Sequence, residues 1–271
     1  NRGSTKRLKS DTTEVEDTNS NILASFDSNG FTIGDNSGNY NASGTYVAWQ
    51  WKANGGTTSS NSNGSITSTV QANTTAGFSI VTWTETTANS QTIGHGLGKT
   101  PAMIITKLRD DSVLDPAWYT FHQGIGKGER VMLDSTSGDV TSGFFNGTLD
   151  SSVFHVGHGD SYDNKSAVAY CFAEIKGYSK FGSYTGNGNA DGAFVYTGFK
   201  PAWIMIKRTS DSGNDWIVID TTRFTFNVIN DYIRANTSDA ETDQYNIDED
   251  ILSNGFKLRG NSGNINADGA T

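Results

Sequence analysis

The strongest constraint on this chain is that it repeats itself at a domain-sized interval. The stretch GHGLGKTPAMIITK, from Gly94 to Lys107, returns as TGFKPAWIMIK, from Thr197 to Lys207. Pro101 then superposes on Pro201 and Lys107 on Lys207, a period of 100 residues. A second block opens at Phe31, Phe154 and Phe256, reading FTIGDNSGNYNASGTY, FHVGHGDSYDNKSA and FKLRGNSGNINADGAT. After its first two copies comes an aromatic run, Val47-Ala48-Trp49-Gln50-Trp51 and Val168-Ala169-Tyr170-Cys171-Phe172. After the third copy the sequence stops at Thr271, and Asn1-Arg2-Gly3 falls where Thr222-Arg223 sits in the last unit. A unit of about 100 residues is a common domain size. The register therefore predicts residues 1–53 as the C-terminal half of a first unit, 54–64 as a linker, 65–176 as a complete second unit and 177–271 as a third unit lacking its last strand.

Hydrophobic residues make up only 34% of the chain, with 31 glycines and three prolines, which reads as many short strands joined by turns. Period-2 alternation of β-branched and aromatic residues dominates, and no stretch shows a 3.6-residue period. In the middle unit strands are expected near Phe78–Thr84, Ala102–Lys107, Trp118–His122, Arg130–Leu133, Val153–Val156 and Ala167–Ala173. The dipeptides Asn29-Gly30, Asn146-Gly147, Asp191-Gly192, Asn254-Gly255 and Asp268-Gly269 are expected in turns because their residues tolerate positive φ. The fold class is all-β, tandem antiparallel sandwiches or jelly rolls with little helix. Both faces of Val168–Ala173 carry apolar residues, so this strand should be central. Ser65–Gln71, with Ile66, Ser68 and Val70 on one face, is expected as an added edge strand.

A net charge of −9 argues against nucleic acid and against anionic membrane surfaces, since both partners are polyanions. No apolar run is long enough to span a bilayer as a helix, so membrane insertion is not expected. Cys171 is the only cysteine, which excludes an intrachain disulfide and fits synthesis in a reducing cytoplasm.

Several residue groups invite a chemical reading. His155, His158 and Asp160 in HVGHGD have metal-ligand types, but His155 aligns with Thr32 and Lys257 at an outward polar position, and an extended strand parts residues 155 and 158. Gly94–Gly98 and Gly124–Gly128 look like phosphate cradles, yet neither feeds a helix, so turn glycines are expected. Asp239, Glu241 and Asp243, echoed by Asp11, Glu14, Glu16 and Asp17, alternate as Ca²⁺ ligands can. The twelve-residue loop with its closing Glu is absent, and a solvated loop is the expectation; Ca²⁺ is the one cofactor these residues would take. Four scattered histidines and no Ser/His/Asp or Cys/His arrangement give no catalytic residues, and the chain is read as a non-enzyme. Most tryptophans alternate with Ile or Val inside strands and belong to the core; Trp118 and Trp216, opening their strands beside loops, are the candidates for stacking a sugar.

The blocks ANTTAGFSIVTWT, TIGHGLGKTPAMIITKLR, VAYCFAEIKGYSKFGSYTGNGNADGAFVYTGFKPAWIMIKR and YVAWQWKANGG span nearly the whole chain. They resemble a repeat domain of large bacteriophage virion proteins, marine phages above all, of the tail-fibre or tail-spike type. The resemblance implies a concanavalin-like or jelly-roll sandwich, located in the virion and extracellular after assembly in the host cytoplasm. It implies as partners other virion proteins, the chain itself in a homo-oligomer such as a trimer, and a host surface glycan bound by loops. It carries no catalytic residues. Two alternatives stand beside attachment: a purely structural virion component, a fibre shaft or capsid decoration without host ligand, and a lectin-like module of a secreted polysaccharide-degrading enzyme.

Overall fold

The computed structural model describes residues 2–34, 40–110, 117–157 and 163–271. The N-terminal segment forms two small hairpins, β1 (Lys6–Arg7) with β2 (Asp17–Thr18) and β3 (Leu23–Asp27) with β4 (Gly30–Ile33). The middle of the chain supplies β5 (Ser59–Asn61), β6 (Ser68–Asn73), β7 (Phe78–Thr84), β8 (Gln91–Gly94) and β9 (Met103–Leu108). It continues through β10 (Tyr119–His122), β11 (Glu129–Met132), β12 (Val140–Thr141), β13 (Val153–Val156) and β14 (Ser166–Phe172). The last part carries β15 (Phe194–Tyr196), β16 (Trp203–Lys207), β17 (Trp216–Asp220), β18 (Ile233–Arg234), β19 (Glu249–Leu252) and β20 (Gly255–Leu258). Among the described residues helix is limited to a 3₁₀ turn at Gln244–Asn246 and α1 (Gly263–Asn266). The chain is all-β, its named strand pairs antiparallel, as the alternation required.

Eight strands form one sheet in the order β12-β11-β10-β9-β14-β7-β6-β5. One face carries Val81, Trp83, Ile104, Leu108, Tyr119, Phe121, Ala169 and Cys171 against the β8–β13 pair, with Phe144, Phe145, Phe154 and Val156 between the layers. The other face carries Met103, Trp118, Val131, Tyr170 and Phe172, which pack with Leu8 from the N-terminal segment and with Met205, Trp216 and Ala235 from the last part. A sheet covered on both sides needs apolar residues on both faces of its middle strand. β14 has them: Val168, Ala169 and Cys171 are all fully buried. A separate core of Ile204, Ile206, Ile217, Ile219, Ile229, Tyr232, Ile247, Ile251, Phe256 and Leu258 fills the space between β16–β17–β18 and β15–β20–β19.

The repeat is visible in pairing. Phe154 stands opposite Ile93, as Phe256 stands opposite Val195, and the β3–β4 hairpin sets Phe31 opposite Phe26 as β19–β20 sets Phe256 opposite Ile251. The six strands expected in the middle unit are present, with boundaries shifted by at most one residue.

Three expectations need correction. The stretch 54–64 is not all linker, because Ser59–Asn61 pairs with Ser68–Val70 as the outermost strand. The strand expected as an edge, now β6, consequently lies one place inside the sheet. Of the Asn-Gly and Asp-Gly dipeptides only Asp268-Gly269 has its glycine at positive φ. In β19–β20 the two-residue turn is Ser253-Asn254, and Gly255 starts the strand. A Cβ there would lie 2.1 Å from the Val195 carbonyl oxygen, so the glycine serves the close approach of β15.

Candidate recognition surface

The two tryptophans singled out for sugar stacking are core residues. Trp118 is 5% exposed and donates its Nε1–H to the Lys9 carbonyl at 2.8 Å, with the Lys107 ammonium 5.6 Å from its ring. Trp216 is 4% exposed and donates to the Met132 carbonyl at 2.9 Å, which ties the last part of the chain to β11. Opening a strand beside a loop left both indoles looking accessible; the segments that cover them come from far away in sequence.

The glycine-rich loops are turns. Gly96, Gly98, Gly126 and Gly128 all take positive φ. Within the first loop His95 is fully buried: its Nδ1 accepts from the Leu97 N–H at 3.2 Å, and its Nε2–H donates to the Asp150 carbonyl at 3.1 Å. Burial holds its pKa below the ordinary value, so the ring is neutral and structural. His155 donates from Nδ1 to the Phe144 carbonyl at 3.0 Å and accepts at Nε2 from the Ser90 hydroxyl at 2.9 Å, which uses both nitrogens. His158 and Asp160 lie outside the described residues.

The acidic loop between β18 and β19 is divided between two arginines. Asp239 accepts from Arg234 Nη1 at 2.5 Å, while Glu241 pairs with Arg223. Arg223 is itself fixed by Asp220, whose carboxylate accepts from the Arg223 Nε–H at 2.6 Å and from the backbone N–H groups of Thr222 and Arg223 at 3.0 and 3.1 Å. Burial pushes Asp220 up, but these hydrogen bonds outweigh it and hold the carboxyl below its ordinary value. Arg234 also reaches Asp215 at 3.2 Å and lies 5.5 and 5.7 Å from the rings of Tyr232 and Tyr245. Asp243 precedes the 3₁₀ turn without a capping hydrogen bond. Burial, then Glu241 and Asp243, raise the pKa of neighbouring Asp231. The arginines thus draw Asp239 and Glu241 to separate partners. The N-terminal echo behaves alike: Glu16 is shared by Arg2 and Arg109, Glu14 pairs with Lys9, and Asp17 with Arg7.

What reaches solvent is a set of aromatics that the sequence pattern did not mark. Phe194 and Tyr196 alternate on β15 and are 45% and 65% exposed on one face, with Val195 turned toward the core between them. Phe226 is 84% exposed two residues before Val228, which lines an open recess with Asn230, Asp248, Asp250 and Arg259. Arg259 Nε–H donates to Asp250 at 2.6 Å across that recess, leaving Asp248, whose pKa burial raises, as a polar wall. Tyr245 stands exposed over Arg234 on the acidic loop. Aromatic rings with one open face beside hydrogen-bonding groups suit a neutral polar ligand with apolar C–H faces, which is the chemistry of a sugar. The signal available in sequence was the alternation Phe194-Val195-Tyr196, in which the small branched residue marks the buried side.

No curated protein and no solved structure matches the chain. A family model described as a domain of unknown function (DUF7483) matches residues 1–271, and the chain belongs to that family.

Proposed function

We propose that the chain is a non-enzymatic part of a phage virion appendage, a tail fibre or similar, that attaches to the host surface. Attachment runs through loops and exposed rings of its β-sandwich units. The observation that supports it most is the aromatic pair Phe194 and Tyr196, held open on one face of β15. The resemblance of the long sequence blocks to phage virion repeats supports the setting, and units in tandem raise avidity when each site is weak. Binding of host envelope glycans and whole cells by the intact chain, with and without Ca²⁺, tests the reading. Saturable binding that the double variant Phe194→Ala, Tyr196→Ala abolishes is expected. No binding by the folded chain refutes attachment, and loss of binding with chelator shows that Ca²⁺ takes part.

A second reading, a structural virion component without host ligand, is favoured by one feature: β5 ends the eight-stranded sheet as a mostly exposed strand, paired on one side only. An uncovered edge is a place where virion subunits join.

A further inference from the structure

Strand register places the Phe194 ring and the recess beside Val228 on one sheet face. Phe194 stands opposite Lys257, and Lys257 stands opposite Asp250, which makes one row across β15, β20 and β19. On the far side of β19, Ile229 exchanges both backbone hydrogen bonds with Glu249 at 2.9 Å, so residues 228–230 run on as a further extended segment of the same ladder. Val195, Phe256, Ile251, Glu249 and Ile229 face the core. Their alternates Phe194, Lys257, Asp250, Asp248, Val228 and Asn230 therefore share the opposite face. Adjacent strands lie about 4.8 Å apart, so three steps separate Val228 from Phe194 by roughly 14 Å. That span takes a short chain of sugars rather than a single ring.

The two ends of the row offer different chemistry. The recess has a volume of about 640 Å³ and is lined by Val228, Asn230, Asp248, Asp250 and Arg259. Asp250 and Arg259 satisfy each other at 2.6 Å, whereas among the described residues the Asp248 carboxylate has no ion-pair partner and the Asn230 amide no hydrogen-bond partner. Burial raises the Asp248 carboxyl, as befits an acceptor short of donors. An acceptor-only carboxylate beside an amide that both donates and accepts matches neighbouring hydroxyls, and Val228 gives an apolar patch between them. At the other end the Phe194 ring lies over Gly255, where an added Cβ would come within 3.0 Å of ring atoms Cε2 and Cζ. The glycine lets the ring lie down on the strand, and its outer side stays open to a C–H face. Charges of both signs line the way: Asp248 and Asp250 meet an anion, while Lys257 and Arg259 meet a cation. An uncharged ligand avoids a like-charge contact with either.

We propose that this face binds an uncharged hexose oligosaccharide laid across the strands, with one sugar held in the recess by Asp248 and Asn230 and a later one stacked on Phe194. The inference rests on the attachment reading and deepens it: the ring supplies apolar contact and the recess supplies selectivity. A hexuronic acid in the recess would set its carboxylate against Asp248, and a hexosamine crossing the row would bring its ammonium to Lys257 and Arg259.

The test is a panel of uncharged hexose oligosaccharides, each with its matched hexuronic-acid and unacetylated hexosamine forms and its monosaccharide, titrated into the full chain by calorimetry. The wild type is expected to bind an uncharged oligosaccharide at least about tenfold more tightly than its charged forms or its monosaccharide. Asp248→Ala and Asn230→Ala are each expected to weaken that binding about tenfold, the effect of losing a hydrogen bond to the ligand. Phe194→Ala is expected to weaken it and to erase the advantage of the oligosaccharide over the monosaccharide. Asn230 is exposed, so its variant keeps the test decisive if Asp248→Ala fails to fold. Binding that Phe194→Ala weakens and both recess variants leave unchanged overturns this inference while attachment through the rings stands. Charged forms that bind as tightly as the uncharged one overturn it as well. A folded wild type that binds no member of the panel and no host cell refutes attachment and this inference together.

Discussion

Glu249→Gln is expected to remove a pH dependence built into the core of the last unit. Glu249 opens β19 fully buried, and neither of its carboxylate oxygens has a hydrogen-bond partner among the described residues. Its main chain, by contrast, exchanges both hydrogen bonds with Ile229 at 2.9 Å. Burial, and after it the charge of Asp248, raise the carboxyl well above its ordinary value of 4.5. The folded chain therefore keeps a proton that the unfolded chain releases as pH climbs. Stability from this group is complete below the ordinary value and is lost through the window up to the raised one, at about 1.4 kcal/mol per pH unit. The loss accumulates at that slope until the pH reaches the raised value. Glutamine has nearly the same shape and cannot ionise, so its stability lacks that slope, while the rise caused by burial at Asp248 is common to both chains and cancels. Urea titrations followed by tryptophan fluorescence at a series of pH values give the comparison. The two proteins should agree near pH 4.5 and diverge above it in favour of the variant, with a slope of about 1.4 kcal/mol per pH unit. Parallel curves across that interval would show that the carboxyl is ionised in the folded chain, and would refute the argument.

Trp216→Ala should cost about 3–5 kcal/mol in urea unfolding, because it empties a large buried site and strands the Met132 carbonyl. Gly255→Ala and Gly30→Ala should differ sharply although both glycines start the second strand of equivalent hairpins. At Gly255 the new methyl would collide with the Val195 carbonyl oxygen, whereas at Gly30 nothing lies within 4 Å, so a fall in thermal midpoint is expected for the first alone. Burial pushes the Cys171 thiol up to about 12, so a thiol-reactive disulfide reagent should label it only in denaturant. Labelling of the native chain would show that the middle of the large sheet opens readily.

Local chemistry carried much of this fold into the sequence. The two-sided apolar pattern of Val168–Ala173 announced a central strand, and Phe78–Thr84 and Val153–Val156 could be bounded to the residue because their alternation starts and stops sharply. Ser59–Asn61 could not, since a polar edge strand gains its stability from the ladder of its neighbour and needs no apolar residue of its own. The sites were harder to read for a related reason. Trp118 and Trp216 are covered by Lys9 and Met132, about 109 and 84 residues away, and no local pattern encodes such a distant lid. Likewise Asp239 and Glu241 look like free ligands until Arg234 and Arg223 are placed beside them. The exposed rings of Phe194 and Tyr196 were legible only in the alternation with Val195, a weak signal because aromatic residues in a strand more often face the core.

The position of β14 between β7 and β9 also sets a timetable for synthesis. β7 leaves the ribosome long before its partner, since 82 positions separate Thr84 from Ser166. At about 5–20 residues per second, that is a wait of roughly 4–16 s. During it Val81 and Trp83 have only β6 beside them, and the halves of the large sheet cannot close. The nascent chain therefore presents an unpaired apolar strand for seconds, and a chaperone that shields extended aromatic segments should raise the yield of folded protein more than one acting after release.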